Sequence, residues 1–300
     1  MKLGILVVYL FGAQTKPLLD IHLSRIERYT QVPYTIYASA SRLAPEFRER
    51  LALHPRIRIC DIPYTDLRDS EEHSYYLDHL ARIAIEDGVT HAVTLHLDSF
   101  PIRQGWAEEL AGRLSDQCVL ATIEPVNTAC LFFRSDFYCS CHPHFLVSAE
   151  ERMHALYREF FSKYNPYRHS GTGYAYRAYQ YGLSWNYLRL TPAYSAHQIG
   201  DVFDGMIFHL RHAIWVGEQH PSPMELARSH RIHMIAIASR AYRRVVPVNL
   251  RREIRWHFAS ILRRFVDKRL QMQHAQRIKQ FLQDPEAYIA PIERRVALGS

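Results

Sequence analysis

Residues Leu3 to Leu10 form an unbroken apolar run, Leu-Gly-Ile-Leu-Val-Val-Tyr-Leu. A strand with one wet face alternates apolar and polar side chains. A run that is apolar throughout must be covered on both faces, which marks a central strand of a parallel sheet. The following residues carry the matching punctuation. Gly12 to Thr15 make a turn and Pro17 suits a helix start. Leu18, Ile21, His22, Arg25, Ile26 and Tyr29 then recur at helical spacing. Tyr34 to Ala38 reads as a second strand, Ala44 to Leu53 as a short helix, and Arg56 to Cys60 as a third strand ending at Asp61. A β-α-β-α-β opening of this kind predicts an α/β fold with a doubly wound, mostly parallel sheet.

The alternation continues. Ser74 to Asp87 is expected as a helix, with Tyr76, Leu77, Leu80, Ile83 and Ala84 inward and Gly88 closing it. Ala92, Val93, Thr94 and Leu95 then form an apolar run that ends abruptly at His96-Leu97-Asp98. Pro101 cannot continue a central strand, and Ile102, Trp106 and Leu110 begin a helical spacing. A buried strand therefore ends here, and an imidazole and a carboxylate emerge at its carboxyl tip. That edge of an open α/β sheet is where ligands sit. Beyond a helix from Gln104 to about Ser115, Cys118 to Ile123 reads as a strand. Glu124 to Asn127 reads as a loop, Thr128 to Phe133 as a strand ending at Arg134, and Met206 to His212 as an apolar strand with a histidine at its end.

Composition bounds the remaining choices. Three hundred residues, 48% of them hydrophobic, suffice for one large or two ordinary domains with a sizeable core. The net charge of +7 is unevenly spread. Twelve basic residues between Arg240 and Gln280 face only Glu253 and Asp267, a local +10 that leaves the rest near −3. From Pro223 to about Gln283 the pattern is helical, with Leu250, Ile254, Phe258, Ile261, Phe265 and Leu270 in an apolar stripe and arginines opposite. The expected division is residues 1–222 for the α/β domain and 223–300 for a helical, basic C-terminal region. Such helices read either as a membrane-surface element or as a packed element with a solvated basic face. No nucleic-acid motif accompanies them, and a nucleic-acid partner is not expected. Five irregularly spaced cysteines argue against a disulfide framework and for a reducing, cytoplasmic setting. No apolar run reaches the length of a membrane span. Cys139, Cys141, His142 and His144 are dense enough to suggest zinc but lack the distant second pair that zinc sites use, and read as a loop with buried thiols.

The stretch His96-Leu97-Asp98-Ser99-Phe100-Pro101-Ile102, followed by Gly105-Trp106, resembles the Asp-x-Asp region of GT-A glycosyltransferases, nucleotide-sugar enzymes related to the large family 2. Aligning Phe-Pro-Ile places Asp98 on the second Asp and His96 on the first; the other register puts Asp98 first and Phe100 second. The resemblance extends over residues 1 to about 215. Glu72-His73-Ser74 to Leu77-Asp78 looks like the helix that precedes the metal motif, with His73 at a helix N-terminus suited to phosphate. His169-Ser170-Gly171-Thr172-Gly173 looks like the motif that opens a later helix, but the acidic residue usually found there is replaced by Ser170 or Gly171. His209, with His212 second, matches a late histidine that returns to the cation or diphosphate.

The resemblance implies a transferase that moves a sugar from a nucleotide-diphosphate donor to a hydroxyl of a glycan or lipid-linked acceptor. It implies a divalent cation, Mn²⁺ or Mg²⁺, held by His96, Asp98 and His209. It places Tyr9, Asp61, His73, Asp78, His96, Ser99, Gly171 and Thr172 at the donor, and Asp98 and His169 in catalysis. An inverting transfer needs a general base, and His169, Glu124, Asp136 and Asp201 are all open for that role. The alternative from another class is a non-catalytic GT-A-like protein that keeps the nucleotide pocket and binds membranes or partners through its basic helices. In the first reading the protein is cytoplasmic, attached peripherally to the inner leaflet.

Overall fold

The computed structural model describes residues 1–10, 16–123, 126–164, 170–191, 200–210 and 268–299. The opening follows the expected alternation: β1 (Leu3–Val8), α1 (Lys16–Tyr29), β2 (Tyr34–Ser39), α2 (Pro45–Ala52), β3 (Ile57–Ile59), α3 (Asp69–Glu86) and β4 (His91–Leu95). After it come β5 (Ser99–Pro101), α4 (Trp106–Gly112), β6 (Cys118–Ile123), β7 (Cys130–Arg134), α5 (Ser135–Cys141), α6 (Ala155–Tyr164), α7 (Thr172–Gln180) and β8 (Ser184–Leu188). The last described elements are β9 (Gly200–Phe203), β10 (Ile207–Leu210), α8 (Lys268–Gln283) and α9 (Pro285–Gly299).

Seven strands form the main sheet in the order β3-β2-β1-β4-β7-β6-β8. All run parallel except β7, which is antiparallel to β4 and β6. Every residue of β1 is buried, as its unbroken apolar run requires. Leu3, Ile5 and Val7 face one hydrophobic cluster, and Leu6 and Val8 face the other. The period-2 alternation of a strand thus feeds two cores, one on each face of the sheet. The fold is α/β with a mostly parallel central sheet.

A smaller antiparallel sheet, β5-β10-β9, sits at the tip of β4. It forms because Asp98 turns the chain out of the main sheet, and Phe100 then stacks on Phe208 with ring centroids 5.3 Å apart, both fully buried. Phe208 also meets Tyr288 of α9 at 6.5 Å. Ile278, Phe281, Ile289, Ile292 and Val296 of α8 and α9 belong to the same cluster as α1 and the small sheet. A charged clamp reinforces that contact. Arg25 of α1, with 3% of its side chain exposed, donates to both oxygens of Glu286 at 2.5 Å and to Glu293 at 2.5 and 3.2 Å.

The strands β5 and β9 and helix α6 are not among the sequence-based expectations, and two further elements depart from them. Helix α3 starts at Asp69, five residues early, because Asp69, Glu71 and Glu72 form an acidic first turn that suits the positive end of a helix. Residues 135–141 are helical rather than a turn and loop. Phe137 and Cys141 lie one turn apart, and both are buried against the sheet. All five cysteines are free, with Cys139 exposed and Cys141 buried. The apolar stripe from Leu250 to Phe265 and most of the basic cluster lie outside the described residues.

Candidate metal centre

Strand β4 lies between β1 and β7, and because β7 is antiparallel, its beginning meets the end of β4: Leu95 pairs with Cys130. Thr128 and Ala129 therefore arrive beside His96 and Ser99. Ser99 is the hub of this junction. Its hydroxyl donates to the Ala129 carbonyl at 2.6 Å and accepts from the His96 N–H at 2.8 Å, and its own N–H donates to the His96 carbonyl at 3.0 Å. The Leu210 N–H donates to the Asp98 carbonyl at 2.8 Å, and Ser99 pairs with His209 across β5 and β10. The turn and the strand pair are thus locked with their side chains converging.

The result is a group of three. His96 Nδ1 lies 3.9 Å and His209 Nε2 3.7 Å from Asp98 Oδ1. One ligand atom from each residue falls within 4.8 Å of the others, the one such group among the described residues. Asp98 is 3% exposed, and its Oδ1 has no hydrogen-bond partner. A buried carboxylate oxygen without a donor costs free energy unless a cation or proton meets it. Burial accordingly pushes the Asp98 carboxyl up to about 7. Burial, followed by the neighbouring His73, His209 and His22, holds His96 well below the ordinary histidine range. Metal binding needs a bare imidazole nitrogen and an ionised carboxylate, and a cation at the bare oxygen would favour the ionised form of Asp98. The residues therefore fit a divalent cation.

Around this group stand residues that fix it. His96 Nε2 is 2.9 Å from the Thr128 hydroxyl. The rings of His73 and His209 meet that of His96 edge-on, at 5.2 and 5.8 Å between centroids. His73 Nδ1 is 3.1 Å from the Ser170 hydroxyl, which ties the start of α7 to the centre. Gly171 caps α7 in the left-handed region at φ 97°, and its N–H donates to the Phe145 carbonyl at 2.7 Å. Thr172 is buried at the first position of that helix. A Cβ at Gly173 would collide with the His144 carbonyl oxygen, so only glycine seats α7 this closely. Fully buried His22 of α1 donates from Nδ1 to the Ser99 carbonyl at 3.1 Å.

Of the residues singled out in the sequence, His96, Asp98, Ser99, His209, His73, Gly171 and Thr172 belong to this assembly. Asp78, Tyr9 and Asp61 lie apart from it, and His73 enters it otherwise than expected. His73 reaches the centre from the second turn of α3, and the helix N-terminus carries three carboxylates, which oppose phosphate rather than attract it. Asp78 instead anchors a loop: its Oδ1 accepts from the Phe145 N–H at 3.0 Å, and its Oδ2 lies 3.8 Å from His144. Tyr9 is completely buried, edge-on to His22 at 5.9 Å, so it packs beneath the centre and offers no surface to a nucleotide base. Asp61 is exposed after β3, where it lines a cavity of about 130 Å³ with Ser41, Arg48, Cys60 and Tyr64.

Among the open candidates for a base, Asp136 is paired with Arg134 at the far edge of the sheet, where β7 ends opposite the start of β4. Asp201, buried on β9, stands directly across from His209. His169, Glu124 and His212 lie outside the described residues. The sequence reading passed over Thr128 and did not assign His22 to the site. His22 had a signal, a polar side chain on the apolar stripe of α1; Thr128 had none.

No family model matches the chain, and no curated protein matches it. Among solved structures the chain is similar to the mannosyltransferase PcManGT from Pyrobaculum calidifontis, described in complex with GDP-Man and Mn²⁺. The identity is 10% and the TM-score 0.34, and the match covers 45% of this chain and 45% of that one.

Proposed function

We propose that the chain is a cation-assisted glycosyltransferase of the GT-A type, moving a sugar from a nucleotide-diphosphate donor to a hydroxyl of a glycan or lipid-linked acceptor in polysaccharide synthesis. The observation that carries this reading is the meeting of His96, Asp98 and His209 at the carboxyl tip of a central strand, with one oxygen of Asp98 buried and bare. When bound there, a divalent cation of the Mn²⁺ or Mg²⁺ kind supplies positive charge to a diphosphate leaving group. The chain's own residues prepare that position. Ser99 fixes the turn that presents Asp98, and β10 delivers His209. The cavity beside Asp61 is the proposed seat of the base and ribose. Asp201 is the proposed proton acceptor among the described carboxylates, since it faces the same row as His209 and Ser99.

The test is hydrolysis or transfer with a panel of nucleotide sugars, with and without Mn²⁺. Wild type should turn over a donor only with the cation. Asp98→Ala should lose at least a hundredfold of that activity and all of its metal dependence. Equal metal dependence in the variant refutes the assignment.

The replacement of the usual acidic residue by Ser170 or Gly171 favours a second reading, a nucleotide-binding protein without transfer. Cation-dependent nucleotide binding with no turnover of any donor would select it. For localisation we propose a cytoplasmic protein attached peripherally through its basic C-terminal region. No helix among the described residues is long and apolar enough to cross a membrane. Each exposed Lys or Arg near an anionic surface contributes about 1 kcal/mol. Co-sedimentation with anionic but not neutral vesicles, weakening as salt rises, is the expected result. Equal pelleting with both would leave the basic residues as solvated surface.

A further inference from the structure

The donor atoms of the centre say which cations it prefers. We propose that His96, Asp98 and His209 select a first-row transition cation such as Mn²⁺, Co²⁺ or Zn²⁺ and discriminate against Mg²⁺ and Ca²⁺. This rests on the reading that the centre holds a cation, and on nothing about the substrate.

Two of the three donors are imidazole nitrogens, and among the described residues no second carboxylate joins the group. Mg²⁺ and Ca²⁺ are hard cations that take oxygen ligands, and Mg²⁺ gives up its water reluctantly. Here it would find one protein carboxylate in a site whose side chains are 5% exposed for Asp98, 18% for His209 and 24% for His96. Imidazole suits the transition cations, whose affinity for nitrogen sites rises from Mn²⁺ towards Zn²⁺.

The same selectivity requires that each imidazole present a lone pair, and for His96 this assigns the ring proton to Nε2, where the Thr128 hydroxyl can accept it. Nε2 of His96 lies 2.9 Å from the Thr128 hydroxyl, while Nδ1 is the nitrogen that faces Asp98. A neutral imidazole carries one proton. With that proton on Nε2 and donated to Thr128, Nδ1 is left bare towards the carboxylate. Thr128 is 3% exposed, so water does not compete for this bond. It is a positioning residue, acting through His96, and such partners typically affect metal affinity by about 10- to 100-fold.

The experiment is calorimetry of the metal-free full-length protein with Mn²⁺ and Mg²⁺ in separate titrations, checked by the loss of the free Mn²⁺ paramagnetic signal. Asp98→Ala serves to subtract binding elsewhere. Wild type should bind Mn²⁺ at least tenfold more tightly than Mg²⁺. His96→Asp, which supplies a second oxygen donor, should shrink that ratio at least tenfold by gaining Mg²⁺. Thr128→Val should weaken Mn²⁺ binding at least tenfold with an unchanged melting temperature, and Thr128→Ser should restore it. Wild-type affinities for the two cations within threefold of each other overturn the selectivity and leave the cation reading intact. A His96→Asp variant with an unchanged ratio, in a protein that melts like wild type, also overturns it. Binding of neither cation overturns both.

Discussion

His22 shows how much one side chain on an otherwise apolar helix face can decide. It is fully buried and bonded to the Ser99 carbonyl, so it holds the turn that presents Asp98. Burial, opposed by that bond, lowers its imidazole to about 4. An unfolded histidine takes up its proton near pH 6.5, so below that pH the unfolded chain binds more protons than the folded one. Stability is therefore complete above about pH 6.5, falls as the pH drops towards 4, and levels off below that. From pH 7 to pH 5 the loss from this residue should be about 2 kcal/mol. Urea unfolding of wild type and His22→Gln at the two pH values checks it. The variant should start less stable but lose about 2 kcal/mol less on acidification; identical pH slopes would show that His22 does not titrate this way. The same buried-polar logic applies at Asp98, whose bare oxygen is what made the centre identifiable.

Among the elements, α1 joins three parts of the fold. One face packs on the sheet, His22 reaches β5, and Arg25 clamps α9. The two arms of that clamp are unequal. Glu293 is 8% exposed and Glu286 61% exposed. Removing Arg25 leaves the buried Glu293 with only the exposed Arg28, 3.7 Å away, a loss of up to about 3 kcal/mol. Glu286→Ala removes only a solvent-screened partner and should cost less than about 1 kcal/mol. Thermal melts of Arg25→Met and Glu286→Ala should separate accordingly, and equal effects would contradict this partition. The hydrogen bond from Arg25 also holds the Glu286 carboxyl below its ordinary range. A depressed carboxylate contributes stability above its unfolded pKa, and that contribution fades as the pH falls through the folded value. Hydrogen exchange in α9 should accordingly rise on acidification below the carboxylate range, and less so in Glu286→Ala.

For the whole molecule, the last helices complete the core. Ile278, Phe281, Ile289, Ile292 and Val296 are each at most 5% exposed and pack in the cluster that holds the small sheet. At roughly 1.5–3 kcal/mol per buried side chain they supply about 10 kcal/mol. That equals the net stability of a typical domain. Deleting residues 268–300 should therefore abolish the cooperative melt and cation binding at His209 together, as followed by circular dichroism and calorimetry. A truncated chain that melts cooperatively near the wild-type temperature would show that the helices are dispensable. How much of this was legible beforehand depends on range. The apolar run of β1, the alternation that follows it and the abrupt end of β4 at His96 and Asp98 are local patterns set by burial and backbone period, and the sequence alone determined them. His209 was reachable only through a family resemblance, and its register opposite Ser99 was not, because a strand pairing far along the chain depends on which faces remain to be covered. The inward turn of Tyr9 escaped for the same reason, whereas the acidic first turn of α3 and the one-turn spacing of Phe137 and Cys141 were local signals left unread. Whether a polar side chain near a sheet edge faces a ligand, a loop or the core is decided by neighbours from other segments. Only the tertiary structure could bring Thr128 to His96, His22 to Ser99 and Arg25 to Glu293, since each of those bonds joins segments that local sequence does not relate.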